Sequence, residues 1–512
     1  MVVGDVTTGT EVLVIGAGPG GYVAAIRAAQ RGLDTTLVER DAYGGACLNR
    51  GCIPSKALIT ATDLAHEAGN AESMGIHADP AVDFAKTVDW KDGIVDRLTS
   101  GVEKLCKANR VNLIEGEASF VDEHTVRVAH GGDGQGSESL SFEHAIIATG
   151  SRPIEIPGFA FSEDHIWTSA DALAAESVPD RLAIVGGGYI GMELATVYAK
   201  LGAEVRVIEM LDDILGPYED DIARVVRKRA EDLGIEFHFG EGATGWSEGA
   251  DGGYLLHTEP VEEGADGDED GTDGDEDGTD GDEDRETEDS DTDADVDDTD
   301  GGSTYAADKI LVAVGRQPVT DTLDLERAGI ETTDRGFIET DDRARTDVEH
   351  IHAVGDVAGE PMLAHVASVE GIVAAETIAG EPAALDRQAV PAAVFTDPEI
   401  GTVGMTESEA AEAGFDPVVG EMPFMGSGRA LTTGHTDGFV RIVADDGTGF
   451  VLGGQIVGPE ASELIAEVAL AVEMGATLED VTGTTHTHPT LSEAVMEAAE
   501  NALGQAIHTL NR

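Results

Sequence analysis

The segment Gly44-Gly-Ala-Cys-Leu-Asn-Arg-Gly-Cys-Ile-Pro-Ser-Lys56 sets two sulfurs, Cys47 and Cys52, five positions apart, with Lys56 four positions beyond the second. Two Cys at a helix start can reach disulfide geometry if the first turn is distorted, which Gly51 and Pro54 permit. A helix N-terminus also lowers a thiol's pKa and so supplies the thiolate that exchange requires. Cys106 is the third and last cysteine, so the chain carries no disulfide scaffold, and a close pair points to redox chemistry. Near the other end, His486-Thr-His488-Pro489 is followed by Glu493. Pro489 restricts His488 to extended backbone, and Glu493 is near enough to orient its imidazole and stabilise the cation. A general acid/base for thiols needs that arrangement. For an isolated CxxxxC or a lone His, two small buried residues and a structural ring are the ordinary readings. Here the surroundings decide otherwise.

Those surroundings are two nucleotide-binding units. Glu11-Val-Leu-Val-Ile-Gly-Ala-Gly-Pro-Gly-Gly21 reads as a buried strand and a glycine turn, followed by an Ala-rich helix and a second strand from Thr35 to Glu39. Gly16 permits the tight turn, Gly18 lets backbone approach a pyrophosphate, and Gly21 allows close helix–strand packing. The helix N-terminus favours phosphate, and Glu39 can accept both ribose hydroxyls of an adenosine. The pattern returns at Arg181-Leu-Ala-Ile-Val-Gly-Gly-Gly-Tyr-Ile-Gly191, with Gly186, Gly188 and Gly191, a helix to about Lys200, and a strand from Glu204 to Glu209. Glu209 suits the 2′-hydroxyl of NAD. Met210, Leu211, Asp212 and Asp213 follow with no base to hold a 2′-phosphate, so NAD is favoured over NADP. Two dinucleotide sites in one chain imply one permanent and one diffusible cofactor.

The whole chain has 512 residues, enough for roughly three domains. No apolar run reaches the roughly 18 residues of a membrane span, and Met1 to Glu11 lacks a secretion pattern, so a cytoplasmic protein is expected. The net charge is −70. The tract 261–300 holds 23 acidic residues and one Arg, and the rest of the chain still carries −48. Lys is depleted, with eight against 23 Arg. Such a shell repels itself in dilute buffer, whereas at 1 M salt the Debye length is about 3 Å. The reading is a halophilic protein, and so negative a surface opposes nucleic acid. Three heptads of the form Gly-[Ala/Thr]-Asp-Gly-Asp-Glu-Asp run from 264 to 284 and cannot bury enough surface to order themselves, so a disordered insertion is expected. They match the opening of a calcium loop, but position 12 is Asp277 rather than Glu and no helices flank it; no metal site is expected. From about Arg387 the pattern of short strands and two helices predicts a separate α+β domain.

The chain resembles the dihydrolipoamide dehydrogenase family of class I pyridine nucleotide-disulfide oxidoreductases. The resemblance rests on the segments 16–21, 44–56, 148–151, 186–193, 314–318, 353–357, 395–404 and 486–493, in that order, and covers all but the acidic tract. It implies an α/β fold with two Rossmann-like domains, for FAD and NAD, plus a C-terminal α+β dimerisation domain. The expected boundaries are 1–155 (FAD), 156–312 (NAD, with the insertion at about 258–303), 313–386 (central) and 387–512 (interface). By the matched positions Cys47 would be the interchange thiol and Cys52 the charge-transfer thiol nearest the flavin. Lys56 would pair with Glu193 near the reactive flavin nitrogen. Ala118, Thr149, Gly150, Asp356 and Ala364 would contact FAD, with Asp356 on the ribityl region, and Gly315 would contact NAD. His488 with Glu493 would serve the site of the other subunit of a homodimer. The implied reaction oxidises dihydrolipoamide, free or on a lipoyl domain, and a 2-oxoacid dehydrogenase complex is one possible partner.

Alternatives remain open within and beyond the class. A glutathione or other small-disulfide reductase is one, and Tyr189 resembles its gating aromatic, although Glu209 opposes NADPH. Mercuric reductase usually has a C-terminal Cys pair, and no Cys follows Cys106. A soluble transhydrogenase would lack the redox pair. A cation-responsive interaction protein would work through the heptads. Ala46, Arg50, Val319 and Val366 depart from common family residues without removing a reactive group.

Overall fold

The computed structural model describes residues 7–131, 136–250, 252–261, 302–386 and 388–511. Most of the expected insertion therefore lies outside the described residues.

The apolar run Val12-Leu-Val-Ile15 ends strand Thr7–Ile15, which lies at the centre of the first sheet. It pairs in parallel with Thr35–Glu39 on one side and Ser137–Ile147 on the other. Asn112–Glu115 extends the sheet beyond Thr35–Glu39. Ile351–Ala353, from much later in the chain, adds a parallel strand beside Ser137–Ile147. Val12, Leu13 and Val14 are fully buried, as expected of parallel strands covered on both faces. Helix Pro19–Gln30 packs on helix Ala364–Ile378 closely enough that a Cβ on Gly371 would stand 2.4 Å from the Gly20 carbonyl oxygen.

The second sheet is entirely parallel, in the order Glu236–Phe239, Glu204–Glu209, Arg181–Val185, Lys309–Val312, Ile166–Trp167. Beside it, Glu241–Glu248, Tyr254–Pro260 and Thr304–Ala307 form an antiparallel sheet. The acidic tract is carried between the last two strands. Ordered pairing runs to Pro260, slightly inside the expected edge of the insertion, and Thr258 N donates to Ser303 O at 3.0 Å. A two-stranded link, Ser151–Pro153 with Arg316–Pro318, is too short to leave a periodic signal in the sequence.

The C-terminal part is an antiparallel sheet in the order Ala392–Val394, Glu399–Gly404, Val451–Gly458, Phe439–Asp445, Pro417–Pro423. Helices Ala461–Glu473 and Glu493–Ala502 pack on it. One core cluster joins Leu58 of the first part, Met192 and Tyr198 of the second, and Val394, Ile400 and Val457 of the third. No described helix is long and apolar enough to cross a membrane.

Candidate active site

A cleft of about 1870 Å³, open solvent included, runs along the C-terminal edge of the first sheet. Gly16, Gly18, Glu39, Cys47, Cys52, Lys56, Ala118, Thr149, Gly150, Glu193, Asp356 and Ala364 all line it. The structure thus gathers residues spread over some 350 positions of sequence.

Part of its wall is built by the first glycine turn. Gly16 has φ +99°, and a Cβ on Gly21 would stand 1.8 Å from the Gly16 carbonyl oxygen, so the helix can begin that close only without a side chain. At Gly18 a Cβ would meet nothing within 4 Å, and the helix N-terminus has no side-chain cap. Its backbone donors therefore face open space, which suits a pyrophosphate. Glu39 accepts from Ala17 N at 2.6 Å and from Asp41 N at 2.8 Å, while burial raises its carboxyl pKa against those bonds. The second unit repeats this architecture. Glu209 accepts from Gly187 N at 2.6 Å and from Leu211 N at 3.0 Å, and Gly188 opens helix Tyr189–Lys200 with no side-chain cap and no neighbour within 4 Å of its virtual Cβ. Gly186 takes φ +108°, and Gly191 packs on its carbonyl as Gly21 does on that of Gly16. Gly186, Gly188, Gly191, Glu209 and Gly315 lie off the cleft lining; Tyr189 and Ile190, just past the second turn, reach it.

The sulfurs line the same cleft. Cys47 is in a short helix, Gly45–Arg50, and Cys52 opens a separate one, Cys52–Asn70. The expected single distorted turn is instead two helices broken at Gly51, whose φ −139° and ψ −115° fit neither. The short helix is seated on the first glycine turn: Gly44 N donates to Ala17 O at 2.8 Å, and a Cβ on Gly45 would stand 2.5 Å from Gly18 Cα. Both thiols are free rather than joined in the expected disulfide, and they share a side-chain hydrogen bond. That bond and the Lys56 charge lower the Cys52 pKa to about 7 despite burial, and the same bond with burial drives that of Cys47 strongly upward. The exposure of Cys52 is to the cleft, with protein on its other sides. Cys106 is buried outside the cleft with its thiol pushed up to about 11 by desolvation.

Lys56 Nζ donates to both Glu193 oxygens, at 2.9 and 2.8 Å, and stands 4.4 Å from the centre of the Phe395 ring. Arg316 donates to Ser151 O and Oγ, each at 2.8 Å, and Ser151 Oγ donates to Asp356. Sequence reasoning singled out the segments holding Ser151 and Arg316 but not this relay. Phe395 was missed in the same way. Arg50, noted only as a departure, lines the cleft and is ion-paired with Asp41.

His488 and Glu493 do not line the cleft. His488 Nδ1 contacts Glu493 Oε1 at 2.9 Å, and Thr490 N donates to Glu493 Oε2 at 2.8 Å. Burial opposes ionisation of Glu493, but the Thr490 amide and His488 together outweigh it and hold its carboxyl below the usual range. The His488 side chain is 80% exposed, and the His488–Pro489 peptide is cis. The side chain of His486, two positions earlier, is largely covered and contacts Glu467 at 2.6 Å.

Two dinucleotide turns flanking a thiol pair define a disulfide oxidoreductase that works with a flavin and a nicotinamide. Residues 10–273 and 278–371 match the model of the pyridine nucleotide-disulphide oxidoreductases, and 390–499 match the dimerisation domain of the same proteins. The chain belongs to the pyridine nucleotide-disulphide oxidoreductase family. It is 69% identical to a dihydrolipoyl dehydrogenase of Haloferax volcanii and 46% identical to one of Geobacillus stearothermophilus, over the whole of each chain. Among solved structures it resembles LpdA from Mycobacterium tuberculosis (TM-score 0.82, 27% identity) and the HOCl-induced flavoprotein disulfide reductase RclA from Escherichia coli (TM-score 0.79, 25% identity). In both cases 96% of this chain and 99% of the other are covered. FAD and NAD are its cofactors. The uncapped helix starts, the open space at Gly18 and Gly188, and the amide-held carboxylates of Glu39 and Glu209 fit them.

Proposed function

We infer that this chain is an NAD-dependent dihydrolipoyl dehydrogenase. The supporting observation is the hydrogen-bonded Cys47–Cys52 pair lining the cleft together with Lys56 and Glu193, in a chain 69% identical throughout to an enzyme of that name. The domain limits 1–155, 156–312, 313–386 and 387–512 are proposed as the FAD, NAD, central and interface units. The chain is a homodimer whose active site is shared, and His488 comes to the sulfurs from a second copy. Its exposure and its absence from its own chain's cleft support that arrangement. The glycines, Glu39, Ala118, Thr149, Gly150, Asp356 and Ala364 hold FAD, and Gly186, Gly188, Gly191, Glu209 and Gly315 hold NAD.

Turnover begins with the Cys47–Cys52 disulfide. His488, oriented by its contact with Glu493, takes a proton from one thiol of dihydrolipoamide. The resulting thiolate attacks Cys47, forming a mixed disulfide and releasing Cys52 as a thiolate, which the Lys56 charge stabilises. The second substrate thiol then attacks the mixed disulfide, expels Cys47 and closes the lipoamide ring; Cys47 is left as the protonated partner of Cys52. When bound, FAD would supply the two-electron acceptor for this dithiol and NAD the diffusible hydride carrier; giving up the electron pair and the Cys47 proton returns Cys47 and Cys52 to the disulfide, and His488 releases its proton to solvent. The substrate is free or protein-bound dihydrolipoamide, and a 2-oxoacid dehydrogenase complex supplies it on a lipoyl domain. The setting is a salt-rich cytoplasm, in keeping with the charge of −70 and the halophilic relative.

A steady-state assay in molar KCl tests this reading. Dihydrolipoamide with NAD should exceed both glutathione with NADPH and dihydrolipoamide with NADP by orders of magnitude. Comparable rates with glutathione would favour the small-disulfide reductase that Tyr189 suggests.

A further inference from the structure

A second ion pair joins the two helices that carry Lys56 and Glu193. Seven positions beyond Lys56, Asp63 accepts from Lys200 Nζ at 2.7 Å, and Lys200 stands seven positions beyond Glu193. Seven residues are about two turns, or roughly 10.5 Å of helix, so each helix presents both charges on one face. The order is cation then anion on Cys52–Asn70, and anion then cation on Tyr189–Lys200. The parallel register pairs all four charges. An antiparallel alignment would set Lys56 against Lys200, and a one-turn slip would leave every charge without its partner.

The Lys200 side chain is only 3% exposed, and its ammonium also contacts Asp397 at 2.8 Å. Arg229 reaches Asp397 at 3.3 Å, and His66 lies 3.5 Å from Arg229. Burial opposes the Asp397 charge, yet Lys200 and Arg229 hold its carboxyl below the ordinary range. Two positions earlier, Phe395 N donates to Glu193 Oε1 at 2.9 Å, and the Phe395 ring faces Lys56. The segment 395–397 therefore touches both ion pairs.

We propose that Lys200, Asp397 and Arg229 are positioning residues for the Lys56–Glu193 pair: by anchoring the segment 395–397 they keep the Phe395 amide on Glu193 and the Lys56 ammonium beside Cys52. The proposal rests on the reading above, in which Cys52 faces the flavin. Charged or titratable neighbours acting on Cys52 are Cys47, Lys56, Glu193 and Tyr189. If the amide leaves Glu193, that carboxylate draws more fully on Lys56, and the thiolate of Cys52 loses part of its support.

The test is a pH titration of the two-electron-reduced holoenzyme in molar KCl, followed by its long-wavelength thiolate–flavin absorbance. Asp397→Asn should raise the midpoint by about half a unit, equivalent to roughly a twofold loss of thiolate near the midpoint, and Asp397→Glu should restore it. A lower Tm with an unmoved midpoint would make the cluster merely structural and overturn the proposal. Should Asp397→Asn not retain flavin, Arg229→Gln, which leaves Lys200 bound to both carboxylates, is judged by the same shift. Absence of the absorbance from the wild-type reduced enzyme would instead overturn the dithiol–flavin reading itself.

Discussion

In the dithiol form Cys52 carries the negative charge and Cys47 the proton, because the hydrogen bond between the two sulfurs acts on them in opposite senses, while Lys56 favours the thiolate at both. Ser in place of Cys52 keeps the size of the side chain but removes the disulfide and the thiolate. Cys52→Ser should retain bound flavin, read from its visible spectrum, and lose dihydrolipoamide:NAD turnover by roughly three orders of magnitude or more. A near-normal rate would remove Cys52 from the mechanism. At this scale the sequence was highly legible, because glycine spacing, the cysteine loop and His488–Glu493 are local patterns with local chemistry. The contacts of Phe395, Asp397 and Lys200 were not, since their partners lie more than a hundred residues away, although Phe395 and Asp397 fall inside the segment 395–404.

Short elements escaped the sequence for a related reason. Ile351–Ala353 has three residues, too few for alternation to show, yet it completes the first sheet and buries His352 to 2% exposure. Among the described residues neither ring nitrogen of His352 has a hydrogen-bond partner, and burial lowers its pKa to about 4, with His144 adding to the effect. The ring is neutral in the folded chain and protonates near pH 6.5 when unfolded. Its stabilising contribution is therefore whole above about 6.5 and is lost as pH falls towards 4, by roughly 3 kcal/mol at most. Urea midpoints in molar KCl at pH 7 and pH 5 should differ less for His352→Leu than for the wild type. An equal pH dependence in both would show that the ring does not report acid unfolding. Pattern also failed at the cysteine loop, where it could not show that Gly51 would divide the segment into two helices.

For the whole molecule the acidity is spread widely, and the tract between Val261 and Gly302 is separable from the rest. At its root the Glu241 carboxylate accepts from Thr258 Oγ1 at 2.5 Å, Tyr305 Oη at 2.9 Å and Ser303 Oγ at 3.3 Å, so the hairpin base is tied without it. Replacing 262–301 by a short Asn-Gly turn should leave kcat and KM within about twofold. The need for molar salt should persist, because the remaining chain still carries −48. A collapse of activity would point instead to a working role for the heptads.

That hairpin base has a practical corollary. Adjacent strands send the backbone out and take it back at a single point, so the join works as a built-in splice port. A reporter domain or purification handle grafted there would be carried as a passenger, leaving the electron-transfer machinery untouched.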